Sequence, residues 1–252
     1  MHKKRFFVMM AIASLLFISS REMQAQSTNA DRRRFEVGGQ FSLLNTSVVS
    51  DATSTFVECV RAPCPPIISF SKSRKNQPGF GGRFGYNLTG NLALEAELNF
   101  FPGADLFDQP AAVNDGNLIE GLFGVKAGKR FEKIGVFGKA RPGFLHATKG
   151  DLQPIPGILC GAVFPPPVGC FETTSKSSFA FDLGGVVELY PTKRIIVRFD
   201  VGDTIVRLAK RNVTAVLNPV PGSLQLSRLV VIGVPAETTH NLQVSAGIGF
   251  RF

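Results

Sequence analysis

Residues 240–252 read HNLQVSAGIGFRF, with apolar side chains at every second position: Leu242, Val244, Ala246, Ile248, Phe250 and Phe252. Polar or very small residues lie between them. Because successive side chains of a β-strand point to opposite faces, the pattern predicts a strand with one apolar and one polar face. An unpaired strand edge is a liability. We therefore expect this last strand to close against another strand of the chain.

Seven upstream segments show the same alternation: 35–44, 80–88, 92–100, 119–127, 136–144, 179–189 and 197–201. The segment at 197–201 loses its alternation after Gly202, which predicts a bulge or an early entry into the next loop. The predicted connections alternate strictly in length. Those at 89–91, 130–133 and 191–194 are short, and those at 45–77, 102–116, 146–176 and 204–238 are long. This order predicts an all-β fold, an eight-stranded antiparallel up-and-down transmembrane β-barrel.

The non-apolar faces of these strands carry charges of nearly balanced sign. In a membrane barrel this face lines the interior, where desolvated charges need partners. We therefore predict a lumen plugged by a charge network formed by Arg83, Glu95, Glu97, Glu120, Lys126, Lys139, Arg141, Asp182, Glu188, Arg198, Asp200 and Arg251. Two alternatives remain open from the pattern. One is a narrow, porin-like passive channel, and the other is a secreted soluble β-barrel that binds a lipid-like ligand in an apolar interior.

The amino terminus has the features of a secretory signal peptide. A basic segment, His2 to Arg5, precedes an apolar stretch from Phe6 to Ile18, which is too short to span a bilayer. We assign 1–25 to the signal peptide, 26–33 to a short periplasmic segment and 34–252 to the barrel. The basic residues do not form one continuous face, so we expect no nucleic-acid partner.

Four cysteines lie in two close pairs, Cys59 with Cys64 and Cys160 with Cys170. An exported protein meets an oxidising compartment, so these cysteines predict disulfides. Three connectivities are possible, and local pairing would close two small loops. No histidine lies near either pair, so we expect no metal site and no cofactor.

The terminal Phe252, preceded by alternating apolar residues such as Ile248 and Phe250, resembles the carboxy-terminal signal of bacterial outer-membrane proteins. The whole segment from about residue 34 is similar to the small OmpA/OmpX-type barrels of the outer membrane protein beta-barrel domain family. The resemblance implies a bacterial outer-membrane location, recognition by the outer-membrane assembly machinery, and a monomer. It also implies a structural or surface-interaction role through long extracellular loops.

We expect no enzymatic activity. His146-Ala147-Thr148 loosely resembles the His-x-Ser of outer-membrane lipid A deacylases, but Thr148 replaces the serine nucleophile. In the predicted topology several bases lie near the extracellular rim, where the phosphates of lipopolysaccharide are suitable partners. These bases are Lys72, Arg74, Lys75, Arg207, Lys210 and Arg211.

Overall fold

The computed structural model describes residues 33–55, 67–104, 116–149, 152–154, 171–217 and 228–252. Its elements are β1 (Phe35–Thr55), β2 (Ile67–Asn87), β3 (Leu92–Pro102), β4 (Asn117–Arg130), β5 (Ile134–Ala147), β6 (Leu152–Pro154), β7 (Phe171–Thr173), β8 (Lys176–Leu189), β9 (Ile195–Leu208), β10 (Arg211–Leu217), β11 (Arg228–Val234) and β12 (Glu237–Arg251). Among the described residues no helix is long and apolar enough to cross a membrane.

Eight of these strands form one closed barrel in the order β1-β12-β9-β8-β5-β4-β3-β2. Every neighbouring pair is antiparallel. The predicted up-and-down barrel is therefore confirmed. The two remaining sheets are short hairpins, β6-β7 and β10-β11.

The barrel closes where β1 meets β12. The register runs from Glu36 opposite Arg251 to Asn45 opposite Leu242. At the end of this seam the amides of Phe35 and Phe252 each donate to the other's carbonyl at 2.9 Å. The described seam therefore leaves no gap through which lipid would meet an open strand edge.

Threonine side chains organise two of the three short turns. In the β2–β3 turn the amides of Asn91 and Leu92 donate to Thr89 Oγ1 at 3.2 and 3.0 Å. In the β8–β9 turn the amides of Arg194 and Ile195 donate to Thr192 Oγ1 at 3.3 and 3.0 Å. These side-chain bonds replace backbone partners that a tight turn cannot supply.

The strands extend beyond the predicted boundaries at the long-loop end. β1 continues to Thr55 and β2 begins at Ile67, so most of the predicted loop 45–77 is strand. The hairpins β6-β7 and β10-β11 lie within the predicted loops 146–176 and 204–238. The prediction for β9 is also wrong, because β9 pairs continuously with β12 through Leu208 without a register shift.

β9 shows the physical reason for this error. Directly before Gly202 the apolar residues Phe199 and Val201 face outward, and after it the apolar residues Val206 and Leu208 are buried. The hydrophobic pattern therefore changes face within one regular strand. Sequence periodicity reads such a change as a break, although the backbone alternation itself continues.

Candidate functional site: the barrel interior and its rim

The outer wall of the barrel is an apolar band. Phe41, Phe123 and Ile248 are 58%, 59% and 60% exposed, whereas the charged side chains of the predicted lumen network face inward, and all but Arg251 are buried. The outward apolar residues of β1 run from Phe35 to Leu43, close to the about 9–11 residues of a membrane-crossing strand. Because the apolar faces point outward, the alternative of a soluble barrel with an apolar ligand cavity is wrong.

Next to the short turns, the interior contains a dense set of ion pairs, here called the ionic layer. Lys126 Nζ lies 3.0 Å from Glu95 and 2.5 Å from Glu188. Arg198 binds Glu95 through Nη2 at 2.9 Å and contacts Asp200 through Nε at 2.7 Å. Shared carboxylates join these pairs into one network, so each charge is compensated by several partners.

The rest of the ionic layer surrounds Arg141 and Lys139. Arg141 Nε donates to Asp182 at 2.9 Å and its Nη1 contacts Glu97. Lys139 Nζ lies 3.1 Å from Asp182 and 3.4 Å from Asp200. The network therefore crosses the barrel from β3 through β5 and β8 to β9.

A second group, here called the latch, closes the interior at the short-turn end. The Tyr190 hydroxyl donates to Glu188 at 2.7 Å and accepts from Arg130 Nε at 3.0 Å. The guanidinium of Arg251 lies 4.8 Å from the Tyr190 ring centroid, and its Nε donates to Glu36 at 2.9 Å. A Cβ on Gly135 would lie 2.3 Å from the Tyr190 hydroxyl, so this glycine leaves the space that Tyr190 occupies.

Above the ionic layer lies a layer of uncharged polar groups around Glu120, here called the neutral layer. Asn99 Nδ2 and Gln243 Nε2 both donate to Glu120 Oε2, at 2.8 and 2.9 Å. Gln40 Nε2 donates to Asn99 Oδ1 at 3.0 Å, and Thr204 Oγ1 donates to Gln243 Oε1 at 2.7 Å.

Beyond the neutral layer, towards the long loops, lies a cluster of buried apolar side chains, with buried polar residues such as Thr46 and Asn241 at the same end. This apolar cap consists of Leu44, Phe101, Ala104, Leu118, Leu145, Ala147, Ala180, Val206 and Leu208. Phe101 fits over Gly79, where a Cβ would lie 2.4 Å from the ring. Both ends of the described interior are thus filled with side chains, as expected for the narrow bore of an eight-stranded barrel.

The predicted interior charges fall into two groups. Ten of them belong to the ionic layer or the latch: Glu95, Glu97, Lys126, Lys139, Arg141, Asp182, Glu188, Arg198, Asp200 and Arg251. The other two are Arg83 and Glu120. Both are buried, and in the described part of the chain neither lies within ion-pair distance of an opposite charge.

The sequence prediction omitted Glu36, Arg130 and Tyr190 from the charge network. Glu36 lies on the inward face of β1 together with Gln40, so the period-two alternation of this strand already indicated that its side chain points into the barrel. Arg130 and Tyr190 lie just after the ends of two predicted strands, where the alternation of apolar and polar residues does not assign a side chain to the inward or the outward face. The sequence also did not predict that the side-chain amides of the neutral layer form hydrogen bonds between strands.

The outer wall becomes polar near the long-loop end. His240 Nδ1 and Asp203 Oδ2 lie 2.6 Å apart, with both side chains exposed. On the neighbouring strands Asn45 Nδ2 donates to Asn76 at 2.6 Å and Arg74 Nη1 donates to Asn45 at 3.1 Å. These groups mark the upper boundary of the apolar band.

Of the predicted rim bases, Arg74, Arg207 and Lys210 are exposed and Lys75 is half-buried on the inward side of β2. The side chains of Lys72 and Arg211 lie outside the described set. So do all four cysteines, Cys59, Cys64, Cys160 and Cys170, and residues 1–32, which include the predicted signal peptide.

His146 and Thr148 are engaged separately. His146 Nδ1 lies 2.7 Å from Ser177 Oγ, whereas Thr148 Oγ1 accepts from the amide of Asn117 at 2.9 Å. In the described residues no cluster of three or more His, Cys, Asp or Glu side chains is suited to a metal ion. At the β12 terminus, Ile248, Phe250 and Phe252 are exposed on the outer wall.

A closed antiparallel barrel with an apolar outer band, a filled charged interior and short turns at one end is a membrane-spanning β-barrel. The sequence profile described as "Outer membrane protein beta-barrel domain" matches residues 10–252. The chain belongs to this family, and it is a protein of the bacterial outer membrane. The short-turn end is therefore periplasmic and the long-loop end extracellular.

No curated protein sequence matches the chain, but several solved structures are similar. Ail, the attachment invasion locus protein of Yersinia pestis, in complex with sucrose octasulfate, has 10% identity and a TM-score of 0.42 over 87% of this chain and 99% of that one. Neisserial surface protein A has 12% identity and a TM-score of 0.43 over 86% of this chain and 97% of that one. The outer membrane protein AlkL has 13% identity and a TM-score of 0.45 over 90% of this chain and 94% of that one.

Proposed function

We propose that this protein is a sealed, monomeric outer-membrane barrel that anchors extracellular segments for surface interaction, without conducting solutes and without catalysis. The observation that supports this proposal is the filled interior, with the latch and ionic layer at one end and the apolar cap at the other. An ion would have to break buried ion pairs and then cross an apolar constriction. Both steps are unfavourable, so the barrel serves as a rigid support.

Conductance in planar lipid bilayers tests this proposal against the porin-like channel. We expect no discrete conductance steps from the wild-type barrel, with insertion verified by the mobility difference between unheated and boiled protein on gels. A variant with Leu118→Ala and Phe101→Ala truncates two large side chains of the cap but keeps the ionic layer, and it should also be silent. Steady conductance of the wild type would favour the passive channel.

We further propose that the extracellular rim bases bind phosphates of lipopolysaccharide. Arg74 and Arg207 are exposed on the outer wall, and Lys210 follows β9. Their position just beyond the apolar band is the depth at which outer-leaflet phosphates lie, and charge-assisted hydrogen bonds to phosphate are strong.

A triple variant, Arg74→Gln, Arg207→Gln and Lys210→Gln, tests this contact. After reconstitution with lipopolysaccharide, it should retain several-fold less glycolipid than the wild type when washed with salt. The matched control neutralises three bases at the periplasmic end, Lys129, Lys133 and Lys193. Equal loss in both variants would show a nonspecific charge effect and oppose the proposal.

The carboxy-terminal strand also supplies the proposed assembly signal. The Phe252 ring stacks on Phe35 with a centroid distance of 5.9 Å, so it has a structural contact as well. Phe252→Ala should reduce the amount of folded barrel in cells strongly while changing refolding into vesicles only slightly. Phe35→Ala removes the same ring contact and serves as the control, since it leaves the terminal residue intact. Equal defects in cells would favour a structural role alone.

A further inference from the structure

Glu120 is a fully buried carboxyl group without a base. Its Oε2 accepts two amide donors, from Asn99 and Gln243, and its Oε1 has no hydrogen-bond partner. The side chain lies on β4 between Leu118 of the apolar cap and Leu122, both of which are buried. An ionised carboxylate in such a place is costly unless a cation or several donors compensate it.

The charges that face Glu120 do not compensate it. They are the carboxylates Glu97 on β3 and Asp182 on β8, and Arg141 is the base that pairs with both. The remaining packed strands contribute uncharged residues in the described interior: Gln40 on β1, Gly81 on β2, Thr204 on β9 and Gln243 on β12. Nearby anions therefore make a negative charge on Glu120 still less favourable.

Asn99 couples Glu120 to the ionic layer. Its Nδ2 donates to Glu97 at 2.7 Å and to Glu120 at 2.8 Å, so both amide hydrogens are used. A second unpartnered acceptor of the neutral layer is Gln40 Oε1. A proton on the Glu120 carboxyl turns an unpartnered acceptor into a donor.

We propose that Glu120 is a buried proton-binding site. The ligand is a proton taken up from solution. With the proton bound, an uncharged layer separates the apolar cap from the ionic layer. Without it, an anion with no base lies directly beneath the cap. This inference concerns the interior only and does not depend on what the extracellular segments bind.

Infrared spectroscopy of the full chain folded in lipid vesicles tests the site directly. The wild type at neutral pH should show a carbonyl band of a protonated carboxylic acid that shifts in heavy water. Glu120→Gln, which keeps the size and the hydrogen bonds of the side chain, should lose this band. Glu188→Gln is the control: Glu188 is buried and pairs with Lys126 in the ionic layer, so the band should remain although the barrel is weakened. Absence of the band in the wild type, or its persistence in Glu120→Gln, would overturn the proposal.

Unfolding in urea provides a second readout. The folded barrel keeps a proton that the unfolded chain releases, so stability falls as pH rises. The urea midpoint of the wild type should fall from mildly acidic to mildly alkaline pH, and that of Glu120→Gln should fall less. Replacing sodium with choline should change neither midpoint. Stabilisation specific to sodium, without the carboxylic acid band, would identify an ionised cation site and reject the proton.

Discussion

The two halves of the barrel interior are filled by opposite chemistry. The periplasmic half holds the ionic layer, in which most carboxylates are shared between bases, as Glu95 is between Lys126 and Arg198. The extracellular half holds the neutral layer and the apolar cap, where Phe101 and Leu118 are wholly buried. The first half depends on electrostatic compensation, whereas the second depends on close packing and on hydrogen bonds between polar side chains.

This difference follows from the surroundings of each half. Within the membrane, apolar residues face lipid, and the inward positions are left to polar and charged groups. Towards the extracellular boundary the outward residues become polar, as Asn45 and His240 are, and apolar residues such as Leu44 lie inside. The extracellular end of the barrel therefore packs in the manner of a water-soluble protein.

The largest effect should come from removing one base of the ionic layer. Arg198→Met leaves Glu95 and Asp200 without their closest partner, and breaking a buried network typically costs about 3–5 kcal/mol. Urea unfolding in vesicles, followed by circular dichroism because the chain has no Trp, measures the loss. Arg83→Met is the control, since Arg83 has no ion pair among the described residues, and it should be neutral or stabilising. Similar losses in both variants would mean that pairing is unimportant.

The apolar cap offers a test of packing without charge. Phe101→Ala empties a wholly buried position and should destabilise the barrel by about 3 kcal/mol. Phe123 on the adjacent strand is 59% exposed on the lipid-facing wall, so Phe123→Ala should cost clearly less. Urea midpoints of the two variants give the comparison. A larger loss for Phe123 would indicate that the cap is loosely packed.

A smaller effect is expected at two adjacent glycines of β2. A Cβ on Gly81 would lie 2.1 Å from Asn99 Oδ1, whereas one on the outward Gly82 meets nothing closer than 3.8 Å. Gly81→Ala should displace Asn99 from the neutral layer and cost about 1–3 kcal/mol. Gly82→Ala should change stability by less than about 0.5 kcal/mol. Equal unfolding midpoints for the two variants would argue against tight packing around Asn99.

The sequence was sufficient for the strand number, the topology and the inward faces, because period-two alternation and alternating connection lengths are local properties. It was insufficient for the strand ends, because β9 changes its apolar face near Gly202 while its backbone remains regular. It was also insufficient for the partners. Glu120 and Glu97 follow the same alternation, yet only Glu97 lies next to a base. The height of a side chain in the barrel, and the residues that face it from the opposite strands, depend on the register of all eight strands.

The smallest effect should appear at the latch, through the pH dependence of stability. Burial, followed by the nearby Glu188 carboxylate, raises the pKa of Tyr190 from 10.0 to about 12. The folded barrel therefore keeps a proton that the unfolded chain loses above pH about 10, and stability declines as pH rises from about 10 to about 12. Tyr190→Phe should remove this decline while costing about 1 kcal/mol at neutral pH through its lost hydrogen bonds.

Urea midpoints of both proteins across this alkaline range measure the slope, and the phenolate absorbance difference between them isolates Tyr190 from the other tyrosine, Tyr86. The two midpoints should converge as pH rises, because only the wild type has a proton to lose at this position. Parallel slopes would mean that the Tyr190 hydroxyl is not held by Glu188 and that the periplasmic end of the interior is open to water. In that case the contrast between the two halves would rest on the apolar cap alone.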